Sequence, residues 1–157
     1  MTDYDPSQLV PHPRYGSKVR RSAENIDAET VRGSFWRYSL EKIFPESAIK
    51  ADVSKQNYSI FARPYYVDVL MTCEDCKRDF LFFAEEQKYW HEELGFYVDA
   101  WCVRCCECRK KKQGPKAALR TYSDLVSQET LTSDQLQQLV TCAVRELLNS
   151  LGANGKF

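Results

Sequence analysis

The spacing of apolar residues predicts strands and one helix in the middle of the chain. Apolar and polar positions alternate over residues 66–71, as in a strand, and the aromatic residues within 80–83 favour a short returning strand. Residues 85–94 carry acidic side chains early and are followed by Gly95, which is typical of a helix and its stop. Residues 96–98 predict a further brief strand. The centre of the chain is therefore expected to be a hairpin with a helix beside it.

An extended segment and a partly helical segment precede this centre. Residues 1–25 are polar and rich in proline, so we expect an arm that lies along the surface of the domain. The segment from Asp27 to Phe44 is expected to be helical in part and to end at Pro45, and residues 48–52 to be a connector. The apolar stripe expected on that helix consists of Val31, Phe35, Tyr38 and Phe44, with Trp36 and Leu40 beside it.

The end of the chain has the clearest helical pattern. Thr132 and Gln135 have the spacing of a capping box, and an apolar stripe follows at helical spacing. The stripe consists of Leu136, Leu139, Val140, Ala143, Leu147 and Leu151. An earlier helix over residues 116–127, beginning after a break at Gly114-Pro115, is expected to pair with the last helix as a hairpin. Because this stripe is apolar, self-association of the chain through its last helix is a further expectation.

Composition narrows the class of protein. Hydrophobic residues make up 43% and charged residues 28%, which is typical of a globular chain. Basic and acidic residues both number 22, which argues against binding nucleic acid by bulk charge. The first residues lack the features of a signal peptide, and no apolar run approaches the length of a bilayer. Seven cysteines without a secretory signal predict reduced thiols and a cytoplasmic location. Without a spanning segment, we expect no membrane partner.

Two cysteine pairs carry the strongest chemical signal. The first is Cys73-Glu74-Asp75-Cys76 and the second is Cys105-Cys106-Glu107-Cys108. Two Cys-x-x-Cys turns can hold one tetrahedral zinc ion through four thiolates and leave no open coordination position. Other arrangements stay open, because Cys102 and Cys105 have the same spacing and Cys106 could replace a neighbouring ligand. Cys102 and Cys106 are also candidate redox thiols, and an iron–sulfur centre is a further alternative.

Catalytic chemistry has little support in the sequence. His12 stands between two prolines, and His91 is expected to lie on a helix surface. The pairs Glu85-Glu86 and Glu92-Glu93 are interpreted as a solvated helix face rather than as an acid/base pair. Because no nucleophile motif or phosphate-binding loop occurs, we expect a protein that is not an enzyme and has no small-molecule substrate.

The motifs of the chain resemble a bacterial family of probable zinc-ribbon domains. The central motifs are Tyr65-Tyr66-Val67-Asp68, Cys73-x-x-Cys76, Phe80-x-Phe82-Phe83-Ala84-x-Glu86-Gln87-x-x-Trp90, Leu94-Gly95-Phe96 and Cys105-x-x-Cys108-Arg109. His12-Pro13-Arg14-Tyr15-Gly16, Trp36-Arg37-Tyr38 and Phe44-Pro45-Glu46 resemble longer members, so the resemblance covers about residues 10–112. It implies a zinc-ligand role for Cys73, Cys76, Cys105 and Cys108, and no catalytic residue. Lys77 departs from the family pattern, in which a glycine is expected at this position.

These observations predict a small α+β fold. It has a zinc-ribbon or treble-clef-like centre, an aromatic N-terminal wrap and a C-terminal helical hairpin. The expected parts are an arm over 1–25, a zinc-binding domain over 26–112 and a helical extension over 113–157. We expect a non-catalytic module with one structural Zn²⁺ that binds a protein or a nucleic acid; the alternative is a redox- or zinc-responsive thiol switch. The expected nucleic-acid contacts are Arg104, Arg109, Lys110, Lys111, Lys112 and Lys116.

Overall fold

A three-stranded antiparallel sheet organises the first part of the chain. The computed structural model describes residues 4–34, 42–128 and 130–153, and the chain divides into two compact units, Met1–Cys106 and Glu107–Phe157. The sheet of the first unit has the order β1-β2-β3, with β1 at Ile43–Lys50, β2 at Tyr65–Thr72 and β3 at Asp79–Phe82. The β2–β3 hairpin confirms the strand and the returning strand that the sequence pattern predicts.

Strand β1 is a correction to the sequence-based expectation. The described part of α1 spans Ala28–Ser34, whereas Ile43–Lys50 is a strand, so a helix through Phe44 and a connector after it are both wrong. The structure tolerates Pro45 because β1 is an edge strand whose pairing with β2 is irregular between Phe44 and Ile49. Proline in a sheet is found at edges and bulges, where its missing N–H breaks no ladder bond. Phe35, Trp36, Tyr38 and Leu40 lie outside the described residues.

Both faces of the sheet are covered by apolar side chains. One face carries a core of Val31, Ile43, Ala48, Val67 and Val69, against which Ile26, Tyr65, Met71 and Trp101 pack. The other carries Leu9, Phe44, Leu81 and Phe83, against which Tyr4, Tyr15, Val19 and Leu70 pack. The N-terminal segment therefore contributes to the core through Leu9, and the Val10 N–H donates to the Asp79 carbonyl at 2.8 Å. This segment therefore covers the second face of the sheet and shields it from water.

A buried carboxylate ties three parts of the first unit together. Asp68 on β2 has no exposed surface. Its two oxygens accept hydrogen bonds from the backbone N–H groups of Arg20 (2.9 Å) and Ala84 (2.8 Å). Its own N–H donates to Ser47 Oγ at 2.7 Å. Burial raises the pKa of Asp68 to about 7, although the two backbone N–H groups oppose this shift.

The predicted central helix changes its geometry partway. Helix α2 spans Ala84–Lys88 and continues as a π-helical turn over Tyr89–Glu93, in which the Leu94 N–H donates to the Tyr89 carbonyl at 3.0 Å. Gly95 follows with φ +67, a conformation that glycine adopts without the steric cost of a side chain. The strand expected over residues 96–98 is reduced to one parallel bridge between Asn57 and Tyr97.

Two long helices make up the second unit. Helix α3 spans Cys106–Val126 and α4 spans Ser133–Ala153. The expected break at Gly114-Pro115 is wrong, because α3 continues through it. The predicted capping box is present: the Gln135 N–H donates to Thr132 Oγ1 at 3.3 Å, and the Thr132 N–H donates to Gln135 Oε1 at 2.9 Å. Among the described helices, none is long and apolar enough to cross a membrane. The side chains of Leu147 and Leu151 lie outside the described residues.

Candidate metal centre

The first cysteine knuckle is the turn between β2 and β3. Cys73 directly follows β2, and its N–H donates to the Arg78 carbonyl at 2.9 Å, while the Lys77 N–H donates to the Cys73 carbonyl at 3.0 Å. These two bonds close the turn and direct Cys73 and Cys76 to the same side. The turn requires Lys77 to adopt φ +62, the left-handed conformation that the glycine expected at this position would adopt readily.

The second knuckle is the start of helix α3. Cys105 immediately precedes the helix and Cys108 lies in its first turn, where unpaired backbone N–H groups and the helix dipole favour negative charge. The Cys105 N–H lies 3.4 Å from Cys73 Sγ, and the Glu74 N–H donates to the Val103 carbonyl at 2.9 Å. Backbone hydrogen bonds therefore fix the two knuckles against one another.

The four sulfur atoms have the spacing that a tetrahedral zinc site requires. The Sγ atoms of Cys73, Cys76, Cys105 and Cys108 all lie within 4.8 Å of one another. A Zn–S bond of about 2.3 Å places tetrahedral sulfur ligands about 3.8 Å apart. The Sγ atoms of Cys76 and Cys105 are separated by 3.8 Å. The donor set and its spacing thus fit one Zn²⁺ with four thiolate ligands.

The local electrostatics favour thiolates over thiols. Burial raises the pKa of Cys73, but the backbone N–H groups of Cys76, Cys105 and Asp75 outweigh burial and lower the pKa to about 6. The Arg78 N–H is the main cause of a lowered pKa at Cys76. Because zinc binds the deprotonated sulfur, this arrangement prepares the ligands for the metal.

An ion pair joins the two knuckles from outside. Arg104, just before the second knuckle, approaches both carboxylate oxygens of Asp75 with its Nε at 3.1 and 3.0 Å. Its guanidinium also lies 3.5 Å from Glu74 Oε2. The two residues between Cys73 and Cys76 therefore hold the segment that precedes Cys105. Arg104 is engaged by these two acidic residues of the first knuckle, which limits its part in the expected nucleic-acid contact.

Replacing Lys77 by glycine is expected to stabilise the first unit by about 0.5–1 kcal/mol, because glycine adopts a positive φ without the steric cost that lysine carries. Urea unfolding of the zinc-loaded protein measures this difference. Lys55→Gly is the control, since Lys55 has no positive φ; its replacement adds chain entropy to the unfolded state and removes an exposed ion pair with Glu93. Equal losses of stability in the two variants would show that the Lys77 backbone carries no strain.

The fold and the site together define a structural zinc module: a small α+β unit in which a strand-to-strand turn and a helix start each supply two cysteines to one metal. A family model described as a probable treble clef domain matches residues 67–116. The match includes all four cysteines and the first turns of α3. It confirms the resemblance to zinc-ribbon-like domains and the presence of one structural zinc ion. No curated protein and no solved structure matches the chain.

The other cysteines of the predicted site lie outside the metal cluster. Cys102 is buried, and its Sγ lies 3.3 Å from the Arg104 carbonyl oxygen. Cys106 is half-buried with its Sγ 3.2 Å from the Pro11 carbonyl oxygen. The register that pairs Cys105 with Cys108 is thus the one that brings four sulfur atoms together. Among the expected nucleic-acid contacts on α3, Lys110, Lys111, Lys112 and Lys116 are exposed and Arg109 is half-buried; their role stays a prediction.

Several polar residues of the α2 region are buried, which the sequence analysis missed. His91 is fully buried rather than on a surface, with its Nδ1 3.2 Å from the Phe96 carbonyl. Glu86 is 8% exposed, and the Glu92 side chain is 3% exposed beside Lys88, so the two glutamate pairs are not uniformly solvated. Buried Gln87 donates to the Val67 and Phe82 carbonyls. From the sequence, burial could have been suspected only for Gln87 and His91, because residues that are four apart lie on one face of a helix.

Proposed function

We propose that this protein is a non-catalytic, structural-zinc module that binds a protein partner through an exposed apolar surface of its first unit. The observation that carries the proposal is a set of large apolar side chains that the fold leaves in water. Ile60 is 77% and Phe61 72% exposed. Contiguous exposed apolar surface on a soluble domain is typical of a binding site.

Two segments form this surface, which we name the apolar patch. It consists of Tyr58, Ile60, Phe61, Leu94, Phe96 and Tyr97. The segments are held together because the Val98 N–H donates to the Asn57 carbonyl at 3.0 Å and the hydroxyls of Ser59 and Tyr97 are 2.6 Å apart. The patch is therefore presented on a fixed backbone, which lowers the entropy cost of binding a partner.

Charged groups beside the patch suit a protein partner. Lys55 pairs with Glu93 at 3.4 Å next to the two apolar segments, and both of these side chains are more than half exposed. An apolar centre surrounded by solvated polar groups is the usual organisation of a protein–protein interface. Residues 51–100 hold 5 basic and 10 acidic side chains, so this region offers little attraction to a phosphate backbone.

The arrangement of the candidate catalytic groups supports a binding role. Four thiolates leave zinc without an open position for water or substrate. His12 Nδ1 faces the N–H groups of Arg14 (3.2 Å) and Tyr15 (3.3 Å), so this nitrogen is an acceptor that is already engaged. His91 is buried. The alternative of a thiol switch has less support at Cys102, which is buried, than at half-buried Cys106.

The patch is tested by the double substitution Ile60→Ser with Phe61→Ser. Affinity purification from the protein's own cells, with nuclease treatment and quantitative mass spectrometry, is expected to show about ten-fold less partner protein with this variant. The control is Leu119→Ser with Val126→Ser, which removes two exposed apolar side chains, 55% and 56% exposed, from α3. Light scattering of each purified protein separates a foreign partner from a second copy of the chain.

The proposal requires that partner proteins be lost with the patch variant and kept with the α3 variant. Both variants should retain one zinc ion and the melting temperature of the unchanged protein, since neither pair belongs to the core. Equal enrichment of the same partner proteins by both variants would rule out the patch as the binding surface. Partner recovery that depends on intact nucleic acid would favour the nucleic-acid alternative.

A further inference from the structure

Helix α4 has apolar side chains that the second unit leaves in water. Leu136, Val140 and Val144 are four residues apart and therefore lie on one face of the helix. Their exposed fractions are 50%, 61% and 48%. Leu139 and Ala143, to one side of them, are half-buried. The chain thus covers a neighbouring face of α4 more than it covers Leu136, Val140 and Val144, which we name the α4 stripe.

The charged residues of α4 lie away from this stripe. They are Asp134 in the first turn and the adjacent pair Arg145-Glu146, so the sequence from 135 to 144 carries no charge. At about 100° per residue, all three positions are about 120–140° from Val140 around the helix axis. Because the exposed face of a helix normally carries polar and charged residues, an exposed face that is apolar and uncharged indicates that another helix packs on it.

The order of residues along α4 makes this face complementary to itself. Its apolar positions are symmetric about a point between Ala143 and Val144, and α4 is helical through Ala153. When two copies of α4 are placed antiparallel about that point, apolar positions face apolar positions. The facing pairs are Leu136 with Leu151, Leu139 with Leu148, Val140 with Leu147, and Ala143 with Val144. The smallest pair lies at the centre, where a close approach of two helices requires small side chains.

The helix dipole favours the antiparallel orientation. It places the positive N-terminal end of each helix beside the negative C-terminal end of the other, whereas a parallel pair places like ends together. The arrangement has two-fold symmetry, so the same surface is used by both copies and the assembly closes at two chains. A foreign helix would need the same uncharged pattern, which a second copy of this chain has by symmetry.

We propose that the α4 stripe is a homodimer interface in which two copies of α4 pack antiparallel. A helix of 21 residues is about 31 Å long, so pairing along it gives an interface at the lower end of the size range for specific association. The expected dissociation constant is therefore micromolar, about 1–50 µM. The stripe shares no residue with the apolar patch, so this proposal does not depend on the proposed function.

Sedimentation equilibrium of the zinc-loaded full-length protein, from about 0.5 to 200 µM, tests the dimer. The average mass is expected to rise from that of one chain to that of two. Val140→Glu should weaken the dimer at least about ten-fold, because it places unpaired carboxylates in an apolar interface. Gln138→Glu is the matched control: it adds the same charge at an exposed position of the same helix, about 160° from Val140, and should leave the dissociation constant unchanged.

Mixtures of variants test the antiparallel register. Positions 140 and 147 face each other only in the antiparallel dimer, so Val140→Glu mixed with Leu147→Lys should form a heterodimer at least about ten-fold tighter than either variant's own dimer. Val140→Glu mixed with Val140→Lys is the control, since position 140 faces its own copy only in a parallel dimer. Circular dichroism verifies that each variant keeps its helix content, and Val144→Glu repeats the test at a second exposed position.

The mass of a single chain at every concentration would overturn the proposal, and so would equal dissociation constants for the unchanged protein and Val140→Glu. A heterodimer formed by the two position-140 variants, but not with Leu147→Lys, would exclude the antiparallel register. Ile60→Ser with Phe61→Ser should dimerise like the unchanged protein. If that variant were monomeric while Val140→Glu still dimerised, self-association would belong to the apolar patch and not to α4.

Discussion

Replacing Cys76 by serine is expected to abolish zinc binding at physiological zinc levels and to unfold the centre of the first unit. Structural zinc contributes roughly 10–16 kcal/mol through four ligands, whereas a whole domain is stable by only about 5–15 kcal/mol. Loss of one ligand also leaves the other thiolates close together without their shared cation. Native mass spectrometry for zinc content and thermal melting by circular dichroism measure the two effects.

Matched substitutions at other cysteines make this test specific. Cys106→Ser alters a half-buried cysteine between two zinc ligands, and Cys142→Ser alters a half-buried cysteine on α4. Both are expected to retain one zinc ion with a melting temperature close to that of the unchanged protein. If Cys76→Ser kept its zinc and its melting temperature while Cys106→Ser lost them, the ligand set would have to include Cys106.

Replacing Asp68 by alanine is expected to lower the free energy of unfolding by about 3 kcal/mol, because it leaves the buried N–H groups of Arg20 and Ala84 without their acceptors. Asp68→Asn should lose about 1–3 kcal/mol, since its amide oxygen can replace only one of the two acceptors. Glu46→Gln is the control, because Glu46 lies on the same sheet but is exposed. Urea unfolding at constant zinc concentration gives these values.

The stability difference between the unchanged protein and Asp68→Asn is expected to change with pH in one direction. The pKa of Asp68 is raised to about 7 in the folded protein, whereas an unfolded aspartate has a pKa of about 3.9. The folded state therefore holds the proton more tightly, and stability falls as pH rises towards and through 7. Between pH 6 and 8 the advantage of the unchanged protein over Asp68→Asn should narrow by about 1 kcal/mol. A constant difference across this range would show that Asp68 stays ionised throughout.

The metal centre could be predicted from the sequence because its determinants are local. Each Cys-x-x-Cys turn specifies its own geometry, and the left-handed Lys77 follows from the same knuckle turn. The choice between Cys102 and Cys108 was less certain from spacing, since it depends on where α3 begins. The helix start at Cys106 places Cys108 in its first turn and leaves Cys102 ahead of the helix, beside the Arg104 carbonyl.

The incorrect predictions concern residues whose environment comes from distant parts of the chain. Pro45 looked like the end of a helix, and only the edge position of β1 and its irregular pairing make it compatible with a strand. Glu86 was expected in solvent because helical spacing says nothing about His12, whose Nε2 lies 3.7 Å from the Glu86 carboxylate. Asp68 is a polar position in the alternating pattern of β2, which favours exposure. It is buried instead, and the N–H groups of Arg20 and Ala84 satisfy its two carboxylate oxygens.

The two zinc knuckles also close a loop in the chain. Cys76 and Cys105 are 29 positions apart, and the segment between them contains Leu94, Phe96 and Tyr97 of the apolar patch. Zinc removes much of the freedom of this loop before any ligand arrives. By thermodynamic linkage, a ligand that binds only the ordered loop must in turn strengthen zinc binding by the same factor. Retention of the metal and occupancy of the apolar patch are therefore properties of one coupled equilibrium.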